Sequence, residues 1–214
     1  MPPLPLFPLE TVLFPGALLP LHIFEPRYRT MLTDVVEGQH RFGLLPPGGE
    51  GQAPAAGAVG CIARVRAVQP LPDGRSNVVV SGETRFSLVR VLPSDKPYLM
   101  GDVTELEDLP DVQVPSSQEV AGLRSLAERY SAALSRINDV EQEPELIDDP
   151  ALLSFQVAAL LEWDYPTKQH FLAIRSATER VTRLIHTIPT LLADLEARAM
   201  VHQRASHNGT GALH

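Results

Sequence analysis

The sequence is poor in the residues that most often announce chemistry. It holds one cysteine, Cys61, in 214 residues, which excludes an internal disulfide and a cysteine-based zinc site. It holds two lysines, Lys96 and Lys168, and neither follows a glycine. No GxxxxGK(S/T) phosphate loop is present, so nucleotide hydrolysis by that route is excluded. No GxSxG nucleophile elbow is present either. No apolar run approaches the ~20 residues of a membrane helix, and the N-terminus has neither a basic stretch nor a long apolar one, so no signal peptide is expected. The net charge is −8. An acidic chain with no basic run binds nucleic acid poorly by bulk electrostatics. The expected setting is the cytoplasm.

Proline is abundant, at 20 residues, nearly twice the typical share of ~5%, which favours a loop-rich, irregular β part. The densest stretch is Leu13 to Tyr28. Phe14-Pro15-Gly16 is a turn: Pro presets φ at its first central position and Gly accepts positive φ at the second. Ala17 to Phe24 is a short apolar run broken only by Pro20 and His22, and it reads as a buried core strand. Pro20 cannot donate a ladder hydrogen bond, which places that strand at an edge or gives it a bulge. Glu25-Pro26 opens a helix, with Pro at the first position, and Tyr28, Met31, Leu32 and Val35 recur at helical spacing.

The remainder of residues 1–110 reads as strands. Leu4 to Leu9, Arg41 to Leu45, the alternating run Val59 to Val68, Asn77 to Val80, Phe86 to Leu92 and Tyr98 to Leu106 are the segments. Asp73-Gly74 signals a hairpin, and Ser81-Gly82-Glu83 a turn or bulge. Polar, Pro-bearing residues 107–115 form a linker. Helical periodicity then takes over across 116–200. Ser116 with Glu119 forms a capping box ahead of a stripe from Val120 to Ile137. Asp149-Pro150 caps a second, mostly apolar helix, and Tyr165-Pro166-Thr167 starts a third. A last stripe from Val181 to Leu195 keeps its phase across Pro189, which predicts one kinked helix. Residues 201–214 read as a disordered tail. The expectation is an α+β chain, an irregular antiparallel pseudo-barrel followed by an α-helical bundle.

Each chemical candidate has a plainer reading. His22 and Glu25 lie three apart, but a strand-to-helix change separates them and no third metal ligand accompanies them. Glu25 is expected to cap the helix and to form a buried pair with Arg27 or Arg85, and His22 to be a hydrogen-bonded strand residue. Lys96 sits in a Ser-Asp-Lys-Pro turn and Lys168 in a first helical turn, neither suited to a Ser–Lys dyad. The acidic run Asp139 to Asp149 lacks calcium-loop spacing and its turn glycine. Cys61 reads as a core thiol, and Trp163 and Tyr165 either line a groove or, on the plainer reading, plug the end of the bundle. No catalytic, cofactor or metal residues are assigned.

The opening stretch, preceded by Leu6-Phe7-Pro8-Leu9, resembles the opening signature of the Lon N-terminal domain family. Phe42-Gly43-Leu44, Gly57 to Ala63, Asp73-Gly74-Arg75 with Val78 to Phe86, and Pro97-Tyr98 before Val103 are similar to its further strands, with Gly101 where a small residue is usual. Lys168 to Leu172 and Glu179-Arg180-Val181 resemble its helical segments, with Ala173 in place of an acidic residue. The resemblance covers roughly residues 4 to 200. Phe14, Pro15, Gly16, Pro20, His22, Phe24, Glu25, Arg27, Tyr28, Gly82, Arg85 and Phe86 are its signature and structural positions.

The resemblance implies a PUA-like N-terminal lobe and a helical bundle, without the ATPase and protease that follow this module in full-length Lon. It implies a stand-alone module binding unfolded or damaged protein segments, through the lobe–bundle groove or an exposed lobe edge. The alternatives are a scaffold subunit docking on a folded partner through the bundle, and a small-molecule or RNA-binding lobe. The last would need an electropositive Arg64–Arg66–Arg85 face. Partner and oligomeric state are not legible in the sequence.

Overall fold

The computed structural model describes residues 2–138 and 144–209, with residues 201–209 as backbone only. Six strands and five helices follow one another: β1 (Leu4–Pro8), β2 (Leu18–Ile23), α1 (Pro26–Glu37), β3 (Arg41–Leu45), β4 (Val59–Pro70), β5 (Ser76–Leu92), β6 (Leu99–Glu105), α2 (Ser117–Asn138), α3 (Pro150–Leu160), α4 (Tyr165–Ala173) and α5 (Ala177–Gly209). They form two compact units. One holds residues 1–109 with 161–175, and the other holds 110–160 with the chain from Ser176 onward. The segment 161–175, α4 included, thus groups with the strands, although its sequence places it among the helices.

In the first unit the strand order is β2-β5-β4-β3-β1-β6, and β6 also pairs with β5. The last pairing closes β5, β4, β3, β1 and β6 into an irregular ring and leaves β2 outside it. Among the described residues the pairings between these strands are antiparallel except β1 with β3, and an isolated bridge between Pro15 and Gly82 is parallel as well. The β1–β3 pair departs from the antiparallel expectation. Its strands are joined through β2 and α1, the kind of crossover that a parallel pair requires.

β5 makes the closure possible. Its first part, Ser76–Ser81, pairs with β2, and its second, Phe86–Leu92, with β6. The break expected at Ser81-Gly82-Glu83 is a bulge inside one continuous strand, with a register shift between Cys61 and Ala63 opposite it. The hairpin at Asp73-Gly74 is a five-residue loop, 71–75, with Gly74 at φ 81°.

Alternation along the strands sorts the apolar residues into two cores. Leu4, Leu6, Leu45, Ile62, Phe86, Leu88 and Val103 fill the ring. Phe7, Phe42, Leu44, Cys61, Val78 and Val80 face the other way and are covered by Tyr28, Met31, Leu32 and Val35 of α1. Inside the ring Phe86 lies opposite Gly60. A Cβ on Gly60 would come within 2.5 Å of the Phe86 ring, and one on Gly43 within 2.8 Å. Burying a phenylalanine contributes about 2–3 kcal/mol, and these two glycines make the room for it.

Arg85, 4% exposed, bolts α4 to the ring. It donates to the carbonyls of Leu172 at 2.8 Å and Ile174 at 2.7 Å, and pairs with the Asp108 carboxylate. Carbonyls at a helix C-terminus have no partner within the helix, so one buried guanidinium satisfies two of them. At the other end of α4 Asp164 accepts from the Thr167 N–H.

In the second unit α5 packs against α2 and α3. Leu123, Ala127 and Tyr130 of α2, Leu153, Phe155 and Val157 of α3, and Val181, Leu184, Ile188, Leu192 and Leu195 of α5 are buried. Ser116 and Glu119 form their capping box. The Leu152 N–H donates to Asp149. Arg180 is wholly buried, with its guanidinium 4.0 Å from the Phe155 ring centroid and its Nε donating to Ser154 Oγ. Asp111 accepts from Ser176 Oγ and from the N–H and Oγ1 of Thr178, and these bonds hold its carboxyl below the usual carboxylate range. α5 continues through Pro189 to Gly209, past residue 201, where the sequence suggests a tail. Residues 210–214, the remainder of that tail, and 139–143 of the acidic run lie outside the described residues.

Three outcomes follow. Gly60→Ala forces Phe86 or the Leu44 carbonyl to move and should cost about 1–3 kcal/mol in denaturant unfolding. Arg85→Ala leaves buried polar groups without their partner. It should cost about 3 kcal/mol or more and speed amide exchange at the C-terminal end of α4. Asp111→Ala should cost about 1 kcal/mol at pH 7. The depressed folded pKa of Asp111 means that its contribution is present above the unfolded pKa and is lost as pH falls through the folded one. The gap between wild type and D111A in unfolding midpoint should therefore narrow below about pH 4.

Candidate functional site

The signature residues divide into a buried joint and an exposed strand. The Phe14-Pro15-Gly16 turn has Gly16 at φ 76° and closes with the Ala17 N–H donating to the Phe14 carbonyl at 3.1 Å. It docks on the β5 bulge. The Gly16 N–H donates to the Gly82 carbonyl at 3.0 Å, and the Gly82 N–H donates to the Ala17 carbonyl at 2.9 Å. A Cβ on Gly82 would stand 2.1 Å from the Phe14 carbonyl oxygen. Phe14, Tyr28, Arg85 and Phe86 are all buried. The Phe7 and Tyr28 ring centroids lie 4.3 Å apart.

β2 itself is not the core strand that its apolar content suggests. It is an edge strand, paired among the described residues only with β5. Leu21 and Ile23 point inward, whereas Leu18 is 68% exposed and Phe24, just past the strand, is 58% exposed. The sequence carries the reason. Leu18, Pro20 and His22 share one parity, and a face bearing proline and histidine is a water face. Glu25 and Arg27 are correspondingly exposed, and their 2.9 Å ion pair is a surface one, not the buried pair expected. Glu25 makes no side-chain cap to α1. His22 Nδ1 lies 2.8 Å from Asn77 Oδ1, and its ring stacks with Phe24 at 6.1 Å.

Across the sheet Pro20 lies opposite Val79, and Val79 opposite Ala67. With Val68 and Gln69 these residues line an open groove of about 410 Å³. One row further Leu18 lies opposite Ser81, Ser81 opposite Arg64, and Arg64 opposite Arg41. Arg66 Nε donates to Ser81 Oγ at 2.7 Å. Arg41 and Arg64 both pair with Glu83. Burial alone would raise the Glu83 carboxyl, but hydrogen bonds from Arg64 and Arg41 hold it below the usual range. The apolar groove thus has a cationic shoulder at its Leu18 end, three guanidiniums to one carboxylate. A second, polar cleft of about 540 Å³ lies between α1 and the 71–75 loop, lined by Arg29, Thr30, Thr33, Asp34 and Ser76.

Arg85 lies outside this row, so Arg64, Arg66 and Arg85 form no common face. Cys61 is fully buried, and burial pushes its thiol up. Lys96 pairs with Asp34 of α1 at 2.8 Å, and Tyr98 donates to the same carboxylate at 2.6 Å. Lys168 is half-buried, which lowers its ammonium pKa. Trp163 lies 5.3 Å from Phe171, which in turn lies 6.2 Å from Phe14. Trp163 therefore packs within the strand unit. Among the described residues no group of three His, Cys, Asp or Glu side chains is placed to hold a metal ion, and no helix is long and apolar enough to cross a membrane.

Comparison with known proteins gives one consistent result. Curated relatives include the Lon protease of Cytophaga hutchinsonii, 24% identical over 94% of this chain and 26% of the relative. Lon protease 1 of Hydrogenovibrio crunogenus is 27% identical over 91% of this chain and 24% of the relative. The chain spans about a quarter of the length of these relatives. The crystal structure of a Lon N-terminal domain protein from Xanthomonas campestris matches with a TM-score of 0.66 at 25% identity, covering 87% of this chain and 99% of that one. The N-terminal domain of the Mycobacterium avium complex Lon protease shares the fold, with a TM-score of 0.62 at 20% identity over 90% of this chain and 98% of that one. The family model of the ATP-dependent protease La (LON) substrate-binding domain matches residues 3–189, and the chain belongs to that family.

Proposed function

We propose that this chain is a non-catalytic module that binds exposed apolar segments of other proteins through the outer face of β2 and β5. The observation that carries the reading is the pair of large apolar side chains, Leu18 on an edge strand and Phe24 just past its end, standing mostly in solvent. Apolar side chains grouped with an open groove on a sheet edge mark a surface suited to an incoming segment. The family description, a substrate-binding domain, points the same way. A protein client also suits the electrostatics better than nucleic acid does. The net charge is −8, Arg64 is paired with Glu83 and Arg85 is buried. A cytoplasmic setting fits a chain whose one thiol is buried and unpaired.

The test is fluorescence anisotropy with a labelled, reduced and carboxymethylated protein as the unfolded client. Saturable binding is expected. The double variant L18D/F24D should weaken it about tenfold, the equivalent of ~1.4 kcal/mol of lost apolar contact, while leaving the melting temperature unchanged. Absence of saturable binding by the wild type, or binding untouched by L18D/F24D, overturns the reading.

A further inference from the structure

β2 offers more than an apolar face, because its hydrogen-bonding pattern follows from a single contact. The Ala17 carbonyl accepts from the Gly82 N–H, so at that parity the backbone of the β2 segment points toward β5. In an antiparallel pair the backbone groups of successive residues alternate between the partner and the open side. Leu19, Leu21 and Ile23 therefore face β5, and Leu18, Pro20 and His22 face the free edge. That edge carries three carbonyls and only two N–H groups, because Pro20 has none. The side chains of the same three residues lie on the exposed face.

We propose that the client is bound as an added strand on this edge, an extended segment that donates N–H groups from alternate residues to the carbonyls of Leu18, Pro20 and His22. The proposal rests on the function proposed above and specifies how that site reads its client. The edge is acceptor-rich, so recognition depends on the client's N–H groups more than on its carbonyls. A segment with proline at the donating positions is rejected. The client residues directly opposite Leu18, Pro20 and His22 lay their side chains on the exposed apolar face, so apolar residues are selected at every second position. The charge beside this face narrows the choice. Arg66 reaches Ser81, one strand in from Leu18 and about 5 Å away, and Arg41 and Arg64 share Glu83. A segment with a carboxylate at its Leu18 end fits this shoulder, and one with lysine there is repelled.

The missing N–H at Pro20 also explains how an open edge is kept from pairing with a second copy. Two β2 edges placed antiparallel would each confront the other with a gap, and proline on an edge strand disfavours such pairing.

The experiment uses the whole chain and a fluorescein-labelled nine-residue peptide of alternating valine and threonine with glutamate at both ends. Two derivatives carry N-methyl groups on one or the other alternate set of residues. One set should lose about tenfold or more in affinity, as hydrogen bonds of about 1 kcal/mol each are removed together, and the other should change less than about twofold. A lysine-ended peptide should bind more weakly than the glutamate-ended one at low salt, and the difference should shrink as salt screens it. In amide exchange with the unmodified peptide Leu18 and His22 should gain protection, while Leu19 and Leu21 stay as they are. Pro20→Thr supplies the missing donor and should tighten binding several-fold. Binding that is equally sensitive to both methylated sets, or that leaves the Leu18 and His22 amides unprotected, overturns strand addition while leaving the apolar site standing. Protection of those two amides by concentration alone, without peptide, assigns the edge to a second copy and overturns it as well. No binding of any peptide overturns the underlying function.

Discussion

The strand unit depends on the contact between the Phe14-Pro15-Gly16 turn and Gly82. Two backbone hydrogen bonds join them, and the fit is so close that no side chain could stand at residue 82. This joint sits where β5 changes partner, from β2 before Gly82 to β6 beyond it. A bulge there bends the strand and increases its twist, which is what lets one strand both close a ring and carry an extra neighbour outside it. The ring interior, with Phe86 set over Gly60 and Gly43, is only as good as that closure.

The same joint fixes what is left open. Once Ala17 accepts from Gly82, the alternation of the backbone determines which groups of β2 meet β5 and which meet water. The outer edge and the outer face then coincide at Leu18, Pro20 and His22. An apolar patch, a row of free carbonyls and an arginine shoulder thereby come together on elements that are held from behind by α1 and the second core. For the function proposed, a face on a rigid sheet needs little ordering when a segment arrives, and avoiding that ordering cost favours affinity.

Buried arginines serve both units in similar ways. Arg85 satisfies carbonyls at the end of α4 and pairs with Asp108. Arg180 lies over Phe155 and donates to Ser154. A planar guanidinium with five donors can join several acceptors from separate segments at once. Both arginines are conspicuous in the structure and ordinary in the sequence, because Leu172, Ile174 and Asp108 lie more than twenty positions from Arg85, and Ser154 lies as far from Arg180.

Local features were legible from the residues themselves. The type of each strand and helix, the Pro-Gly turn, the capping box at Ser116, the cap at Asp149 and the α1 stripe of Tyr28, Met31, Leu32 and Val35 all rest on interactions within a few residues. The edge position of β2 was legible too, through Pro20. The exposure of Leu18 was readable in principle from its shared parity with Pro20 and His22, but the apolar run masked it. What only the tertiary structure decided was pairing at long separation: the parallel β1–β3 pair, the closure of β6 on β5, the placement of α4 with the strands, and the separation of Arg85 from Arg64 and Arg66. Hydrophobic periodicity says which face of a segment is buried, and it carries no information about the segment that buries it. The residue types around β2 were set by the sequence; their assembly into one free, acceptor-rich edge was set by the fold, through a glycine more than sixty residues away.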